Sequence, residues 1–317
     1  MPDPCFPTTA TARLSHPSPV HALTFSSGSG QYILSGSQDR SIRLWNPTTS
    51  KLIQTYSAHG YEVLDLSISE DNSRFVSGGG DKTVFLWDVA AAQTLRRFNG
   101  HAGRVNSVIF GGTGDDVVIS GSFDGTVKVW DCKSRSERPI MTFTEAKDAV
   151  SCLAVRGHEI WAGSVDGRVR CYDLAKGEVE EDVMGASVTS VTPTMAGDSL
   201  LVSTLDSKVR LMDRSNGRCL QTFADEGAFV NETYRVRSTL GAGGAVAISG
   251  GEDGRVWVWD VLTGKVIHRL WHKKDGQQDR AVISKKDVVS AVAWNQLRKT
   301  CASAGGDGDV VIWSSND

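Results

Sequence analysis

The sequence predicts an all-β fold, a seven-bladed β-propeller closed by pairing of its N-terminal strand with its C-terminal blade. The first observation is a motif in SGSFDGTVKVWD, Ser120 to Asp131, where an Asp stands in a tight turn and an aromatic residue follows six positions later. The second is that the motif recurs along the chain. The third is that the last repeat lacks one strand, while a spare strand stands at the N-terminus.

The motif reads as strand, turn, strand. Asp124 and Gly125 tolerate turn geometry, and Val117 to Ile119 before the turn and Val127 and Val129 after it favour a pleated, half-buried surface. The segment therefore predicts a β-hairpin.

The Asp recurs seven times, at steps of 40 to 54 residues. These positions are Asp39, Asp81, Asp124, Asp166, Asp206, Asp253 and Asp307, and the residues six places later are Trp45, Trp87, Trp130, Tyr172, Met212, Trp259 and Trp313. A repeat of about 40–45 residues with four strands per unit is the signature of WD-repeat propeller blades. The repeat predicts the fold and says little about function.

The two ends of the chain complement each other. Thr11 to Leu14 resembles the outermost strand of a blade, and three strands, within 289–294, 299–303 and 310–313, stand at the C-terminus. Together they predict a closed ring, which removes sheet edges. We expect residues 1–9, with three prolines, to form a flexible lead-in and 10–317 to form one propeller. The first strand of the sixth unit, within 229–240, is not placed.

Three units carry a recurring set of four residues that predicts a buried structural hydrogen-bond network. The sets are His16, Ser35, Asp39, Trp45; His59, Ser77, Asp81, Trp87; His101, Ser120, Asp124, Trp130. We expect His to donate to the turn Asp, Ser to accept from His, and the indole N–H to complete the network. His, Ser and Asp together also occur in the active sites of hydrolases, but their threefold recurrence with a Trp favours a structural role. The later units are predicted to keep partial sets: Asp166, Tyr172; Asp206; Ser249, Asp253, Trp259; Ser303, Asp307, Trp313, none with a His.

Composition excludes few functions. A net charge of −3 is unlike a dedicated nucleic-acid-binding domain, and the scattered cysteines form no CxxC pair that would indicate a metal site. No apolar run reaches the roughly 20 residues of a membrane span, and the N-terminus does not resemble a secretory signal. We therefore expect the nucleus and cytoplasm as location and no membrane partner.

Catalytic motifs for phosphate binding, zinc hydrolysis or a nucleophilic serine are absent from the sequence. The sequence thus predicts no enzyme, no cofactor, no metal and no small-molecule substrate. The alternative is an active site in the central channel, which would need ionisable side chains converging there.

Two surfaces are candidates for partner binding. The first is the end of the propeller that carries the Asp turns, called the turn face. Four large side chains are expected there that the turn conformation does not require: Tyr61, Glu62, Arg104 and Phe123. The alternative is that each packs on a neighbouring blade. The connection 271–287 is basic, with Lys273, Lys274, Lys285 and Lys286. It is either simply solvated or touches an acidic partner or RNA backbone.

Several stretches resemble the mitogen-activated protein kinase organizer family of WD-repeat proteins. They are LWNPTTSKLIQTYSAHGYEVLD (44–65), DNSRFVSGGGDKTVFLWDVA (71–90), FNGHAGRVNSV (98–108), EIWAGSVDGRVRCYDL (159–174) and LVSTLDSKVRLMD (201–213). The resemblance covers about residues 13–215 well and the last two units more weakly, and the basic connection departs from it.

The resemblance implies a non-enzymatic scaffold that assembles modules of a MAP-kinase cascade and associates with late spliceosomal complexes. The expected partners are kinase-cascade or spliceosomal proteins, with RNA contacted only through a larger complex. A dedicated pre-mRNA splicing subunit without a signalling role is the alternative. No catalytic residues transfer from the family.

Overall fold

The described part of the protein consists of seven four-stranded antiparallel sheets. The computed structural model describes residues 6–225, 227–273 and 284–315. Within these ranges the chain forms seven sheets from 28 strands, and each sheet is built from strands that are consecutive in sequence except the one that joins the two ends. The prediction of an all-β, seven-bladed propeller is therefore confirmed.

The strands are numbered in chain order and grouped by blade. Blade 1 contains β2 (Val20–Phe25), β3 (Ile33–Ser37), β4 (Ser41–Asn46) and β5 (Lys51–Ser57). Blade 2 contains β6 (Val63–Ile68), β7 (Arg74–Gly79), β8 (Thr83–Asp88) and β9 (Gln93–Asn99). Blade 3 contains β10 (Val105–Gly111), β11 (Val117–Ser122), β12 (Val127–Asp131) and β13 (Met141–Phe143). Blade 4 contains β14 (Val150–Arg156), β15 (Glu159–Ser164), β16 (Arg168–Asp173) and β17 (Glu178–Val183).

The remaining blades follow the same plan. Blade 5 contains β18 (Val188–Pro193), β19 (Ser199–Thr204), β20 (Lys208–Asp213) and β21 (Cys219–Phe223). Blade 6 contains β22 (Ser238–Gly241), a 3₁₀ turn (Ala242–Gly244), β23 (Val246–Gly250), β24 (Arg255–Asp260) and β25 (Val266–Trp271). Blade 7 contains β26 (Val289–Asn295), β27 (Thr300–Gly305), β28 (Asp309–Ser314) and β1 (Thr9–Ser15).

Burial falls from the inner strands to the outer strand of each blade. In blade 5 every residue of β19 is buried, whereas in blade 4 the outer strand β17, with the sequence EVEEDV, is almost wholly exposed. The hydrophobic core accordingly lies between neighbouring blades, on both faces of the second and third strands. This arrangement leaves loops at the two ends of the propeller, and the inner strands line its central channel.

Glycine in the second strand lets neighbouring blades approach each other. A Cβ atom added to Gly121 in blade 3 would lie 2.5 Å from Val150 Cγ1 on the inner strand of blade 4. The same close approach joins Gly36 to Val63, Gly78 to Val105 and Gly163 to Val188. The Gly of the second strand and the Val that opens the following unit are therefore two sides of one packing contact.

A shared backbone conformation shapes the seven Asp turns. The residue after each Asp has a positive φ, from 58° at Ser207 to 90° at Gly308. Four of these residues are glycines, which adopt this region freely, and the other three are Arg40, Lys82 and Ser207. The turn geometry is thus kept even where the sequence offers no glycine.

The ring closes as the sequence predicts. β1 pairs antiparallel with β28, with Leu14 opposite Val310 and Thr9 opposite Ser314. The predicted lead-in over 1–9 overlaps the start of β1. Its Phe6 is buried, stacked at 5.5 Å from His268 and 5.6 Å from Trp294, because an apolar ring gains from leaving water. Residues 1–5 lie outside the described ranges.

Candidate functional site

In blades 1 to 3 each turn Asp is tied to the blade interior by a four-residue network. In blade 1, His16 Nδ1 lies 3.2 Å from Asp39 Oδ2 and His16 Nε2 lies 2.7 Å from Ser35 Oγ, which accepts the Trp45 indole N–H at 2.8 Å. Blades 2 and 3 repeat this with the sets His59, Ser77, Asp81, Trp87 and His101, Ser120, Asp124, Trp130. The structure therefore brings together all twelve residues expected from the sequence.

The serine plays a different part from the one expected. Burial lowers the pKa of His16 to about 4 and also lowers the pKa of His101, so both rings are neutral at pH 7. A neutral ring that donates from Nδ1 to the Asp must accept at Nε2. The serine hydroxyl consequently donates to the histidine, rather than accepting from it, and accepts from the indole.

The turn carboxylate has the complementary property. Burial alone would raise the pKa of Asp124, but the Thr126 hydroxyl and the Ala102 backbone N–H donate to this carboxylate and help to lower the pKa to about 2. An ionised Asp therefore faces a neutral His inside a satisfied hydrogen-bond network. Such an arrangement stabilises the turn, and the serine hydroxyls of the three networks are fully buried, out of reach of a substrate.

Blades 4 and 5 replace the histidine with an arginine four residues after the Asp. In blade 4, Arg170 Nη2 lies 2.8 Å from Asp166 Oδ2 and Arg170 Nη1 donates to Ser164 Oγ at 2.9 Å. In blade 5, Arg210 pairs with Asp206 and donates to Thr204. Tyr172 and Met212 fill the Trp slots as buried packing residues.

In blade 6 the expected set does not form. Ser249 Oγ donates to the carbonyl of Gly250, and the buried Trp259 Nε1 has no hydrogen-bond partner among the described residues. The indole of Trp257 donates to the turn carboxylate, at 3.1 Å from Asp253 Oδ2, where blades 1 to 3 use a His. The grouping of Ser249, Asp253 and Trp259 is therefore wrong, because the Ser249 hydroxyl points to a backbone carbonyl and the indole that reaches Asp253 is that of Trp257.

Blade 7 contains a histidine that the sequence analysis missed. His272 Nδ1 lies 2.8 Å from Ser303 Oγ, which accepts the Trp313 indole N–H at 2.8 Å, and His272 Nε2 lies 3.4 Å from Asp307. The expectation of a blade without His is corrected: blade 7 has all four residue types, with the ring turned over relative to blades 1 to 3. His272 directly follows β25, as His16 directly follows β1, so counting from the outer strand would have found it.

Two tryptophans in the same slot allow the network to be tested. We expect Trp130→Phe to lower the free energy of unfolding by about 1–2 kcal/mol more than Trp259→Phe, because only Trp130 gives up a hydrogen bond. Both indoles are fully buried, so the loss of ring volume is matched. Chemical denaturation of the two variants measures the difference, and equal losses would show that the indole N–H contributes nothing.

The turn face is the end of the propeller that carries the seven Asp turns. Backbone bonds fix its loops: Phe123 N donates to Arg104 O at 2.9 Å, and Gly80 N donates to Glu62 O at 3.0 Å. These bonds join each turn to the loop that precedes the inner strand of the same blade. The residues proposed for partner binding therefore stand on one rigid surface.

Tyr61 and Phe123 project from this face. Their exposed fractions are 61% and 56%, so neither is buried against a neighbouring blade. The Arg104 guanidinium lies over the Phe123 ring at 5.0 Å from its centroid. Exposed aromatic and guanidinium groups of this kind are the side chains that most often dominate protein–protein interfaces.

The other two groups of predicted residues meet at the mouth of the central channel. A cavity of about 340 Å³ opens there, called the mouth cavity below, and Glu62, Arg104, His21, Arg235 and Lys285 are among its lining residues. Glu62 and Arg104 thus join Lys285 of the basic connection. The sequence could not predict this, because the three residues come from blades 2, 3 and 7.

The lysines of the basic connection differ in their surroundings. Lys273 forms an ion pair with Asp287, which holds the two described ends of the connection together. Lys285 and Lys286 are exposed, and the Lys285 carbonyl packs on Gly306, where an added Cβ would lie 2.0 Å away. Lys274 lies outside the described residues.

Below the mouth cavity, two arginines from blade 6 cross the channel. Arg237 Nη2 lies 2.7 Å from Asp65 Oδ1 in blade 2 and also donates to Leu64 O, while Arg235 donates to Asn106 O in blade 3. Arg235 lines both the mouth cavity and a second cavity of about 410 Å³ on the opposite side. The arginines therefore separate the channel into two chambers.

One group of potential metal ligands occurs among the described residues. His158, Glu159 and Asp173 lie close together, but Arg214 pairs with Glu159, and Lys176 lies 3.3 Å from Asp173. Both carboxylates are thus engaged by cations of the protein itself. Across the described ranges, no helix has the length and hydropathy needed to cross a bilayer.

Comparison with known proteins agrees with this geometry. The profile of the family "WD domain, G-beta repeat" matches residues 9–46, 50–88, 92–131, 137–173 and 280–314, more than half of the chain. The protein belongs to the WD-repeat family. Blades 5 and 6, which lack the His–Ser–Asp–Trp network, fall mostly between the matched segments. Members of this family generally act as interaction scaffolds.

Several WD-repeat proteins are similar over most of the chain. WD repeat domain-containing protein 83 of Rattus norvegicus is 44% identical over 241 residues, which cover 76% of this chain and 75% of the relative. An uncharacterized WD repeat-containing protein, C713.05, of Schizosaccharomyces pombe is 36% identical over 77% of this chain and 80% of its own. The Dictyostelium discoideum homolog of WD repeat domain-containing protein 83 is 28% identical over 81% of this chain and 86% of its own.

Proposed function

We propose that this protein is a non-enzymatic scaffold that assembles partner proteins on its turn face. The observation that carries the proposal is the pair of exposed aromatic rings, Tyr61 and Phe123, on loops held by backbone hydrogen bonds. Rigid presentation matters because a side chain that is already ordered loses little entropy on binding. Arg104, stacked on Phe123, adds a charged group beside the apolar surface.

The partners follow from the segments that resemble MAP-kinase organizers. HGYEVLD contributes Tyr61 and Glu62 to the turn face, and AGSVDGRVR contributes the exposed Val165. Two segments of the resemblance thus supply residues of this surface. We infer that the partners are components of a MAP-kinase cascade and that the protein works in both the nucleus and the cytoplasm.

A dedicated role in pre-mRNA splicing, without signalling, is the second candidate. The exposed Lys285 and Lys286 at the edge of the turn face favour it, since cations suit protein complexes that carry RNA phosphates. In this reading the propeller touches spliceosomal proteins, and RNA is reached through the larger complex.

Affinity purification tests the proposal. The tagged protein is recovered from nuclear and cytosolic extracts, with and without RNase, and the bound proteins are identified by mass spectrometry. Kinase-cascade proteins in the cytosol support the signalling scaffold. Splicing factors that persist after RNase, with no kinase-cascade protein, support the second candidate.

Matched variants locate the contact. We expect the double variant Tyr61→Ala, Phe123→Ala to recover at least about ten-fold less of these partners, because truncating interface anchors costs about 2 kcal/mol or more each. Leu262→Ala is the control, since this residue is highly exposed on a loop at the opposite end of the propeller. Unchanged recovery with the double variant would reject the turn face as the binding surface.

A further inference from the structure

The channel residues Arg235, Arg237 and Asp65 carry unequal numbers of positive and negative charges. Asp65 is the acidic group that faces Arg235 and Arg237, lying 2.7 Å from Arg237 and 4.0 Å from Arg235. Two guanidinium groups therefore share one carboxylate. A cation held away from bulk water without an anion is unfavourable unless something compensates for it.

Asp65 has no capacity left for Arg235. Its Oδ1 accepts from Arg237 and from the Leu66 N–H at 2.7 Å, and its Oδ2 accepts from Ser107 Oγ at 2.6 Å and the Val108 N–H at 3.0 Å. A carboxylate offers about four lone-pair positions, so these four donors fill it. Arg235 is left with the Asn106 carbonyl, and its buried Nε has no acceptor among the described residues.

The mouth cavity above Arg235 has the same excess of positive charge. Among the described residues, Arg104, Arg235 and Lys285 line it together with one carboxylate, that of Glu62. His21, which also lines the cavity, is neutral at pH 7, because burial and then the charge of Lys285 lower its pKa to about 4. At about 340 Å³ the cavity falls within the range of about 300–1,000 Å³ that small ligands occupy.

We propose that the mouth cavity is an oxyanion site, in which Arg235, Arg104 and Lys285 bind a carboxylate or phosphate group on a side chain inserted by the partner. The source of the anion rests on the proposed function; the site itself rests on the channel geometry. The guanidinium of Arg235 forms the floor, while Arg104 and Lys285 stand at the rim. An inserted anion would neutralise the excess charge that Asp65 leaves.

The test uses free anions, so it does not depend on knowing the partner. Inorganic phosphate and acetate are titrated separately into ¹⁵N-labelled protein at constant ionic strength, and the Nε–Hε resonance of Arg235 is followed by NMR. The resonance is assigned by its loss in Arg235→Lys. We expect a saturable shift with one of these anions. Stronger binding of phosphate would indicate a phosphorylated side chain, and stronger binding of acetate an acidic one.

A variant at the rim of the cavity separates a loss of anion binding from a loss of folding. Arg104→Gln is exposed and makes no brace across the channel, so it should fold normally and weaken anion binding about five-fold or more. Arg138→Gln, an exposed arginine outside the cavity, should bind like the unmodified protein. No saturable shift with either anion, or equal shifts in both variants, would overturn the inference. Partner recovery that still depends on Tyr61 and Phe123 would then leave the proposed function standing.

Discussion

Acidification from pH 7 to pH 4 is expected to lower the free energy of unfolding by several kcal/mol. The cause is the group of neutral, buried histidines. His16 has its pKa lowered by burial from 6.5 to about 4, so the unfolded chain takes up a proton in this range and the folded chain does not. Stability then falls as the pH falls below 6.5, by about 1.4 kcal/mol per pH unit for one histidine and by about 3 kcal/mol at pH 4.

Other groups act in the same direction. His21 and His101 also have lowered pKa values, with His21 contributing less because it lines the open mouth cavity. Asp124, with its pKa lowered to about 2, adds stability above its unfolded value of 3.8 that disappears as the pH falls towards 2. The acid loss should therefore occur in two stages, with histidines first.

Urea denaturation across the pH range measures this effect. His21→Gln should leave the free energy of unfolding nearly unchanged at pH 8, where neither state binds the proton, and should flatten its dependence on pH between about 6.5 and 4. A curve that is level over that interval in the unmodified protein would contradict the assignment of neutral histidines.

Asp65→Asn is the single substitution with the largest expected effect on stability. The substitution removes the carboxylate that neutralises Arg237. It also places an amide, which donates as well as accepts hydrogen bonds, opposite Arg235. Breaking a buried ion pair by deleting one partner leaves an uncompensated charge, and we expect a loss of about 3 kcal/mol. The contact joins blade 6 to blade 2 across the channel, so the loss should affect the whole ring.

A surface pair provides the control. Lys133 Nζ lies 2.9 Å from Asp116, but both groups are exposed, so Asp116→Asn should cost less than about 1 kcal/mol. Adding Arg237→Gln to Asp65→Asn should recover part of the loss, because the orphaned cation is then removed. Equal effects of the two Asp→Asn substitutions would mean that the channel pair is as solvated as the surface pair.

The sequence predicted the elements that obey a fixed local spacing. The Asp turns, the closing strand and the networks of blades 1 to 3 all follow from residues a constant distance apart. This works because each four-stranded blade is a local structure whose hairpins set the register of the next strand.

A fixed spacing did not predict the network residues where the chain has an insertion or where a different side chain binds the turn Asp. His272 escaped detection because the connection after it separates it from β26, although its position relative to β25 is kept. In blade 6, Trp257 takes the part of the His at Asp253, while Ser249 turns to a backbone carbonyl and leaves Trp259 without a partner; these side-chain orientations are not visible in the sequence.

The contacts that Arg235 and Arg237 make across the channel could not be predicted from the sequence either. Arg237 and Asp65 are separated by 172 positions and belong to blades that are not neighbours, so no periodic pattern connects them. The same is true of the mouth cavity, where Glu62, Arg104 and Lys285 meet only because the ring is closed. Contacts across the centre of a ring depend on its complete assembly.

The pairing of β1 with β28 has a consequence for synthesis on the ribosome. The hydrogen bond between Ser15 and Asp309 spans 294 residues, so β1 emerges long before its partner. At elongation rates of about 5–20 residues per second, roughly 15–60 s pass before β28 is available. Throughout this interval the nascent chain carries an unpaired strand with apolar positions such as Leu14. The seventh blade, and with it the closed ring, can therefore form only at the end of translation.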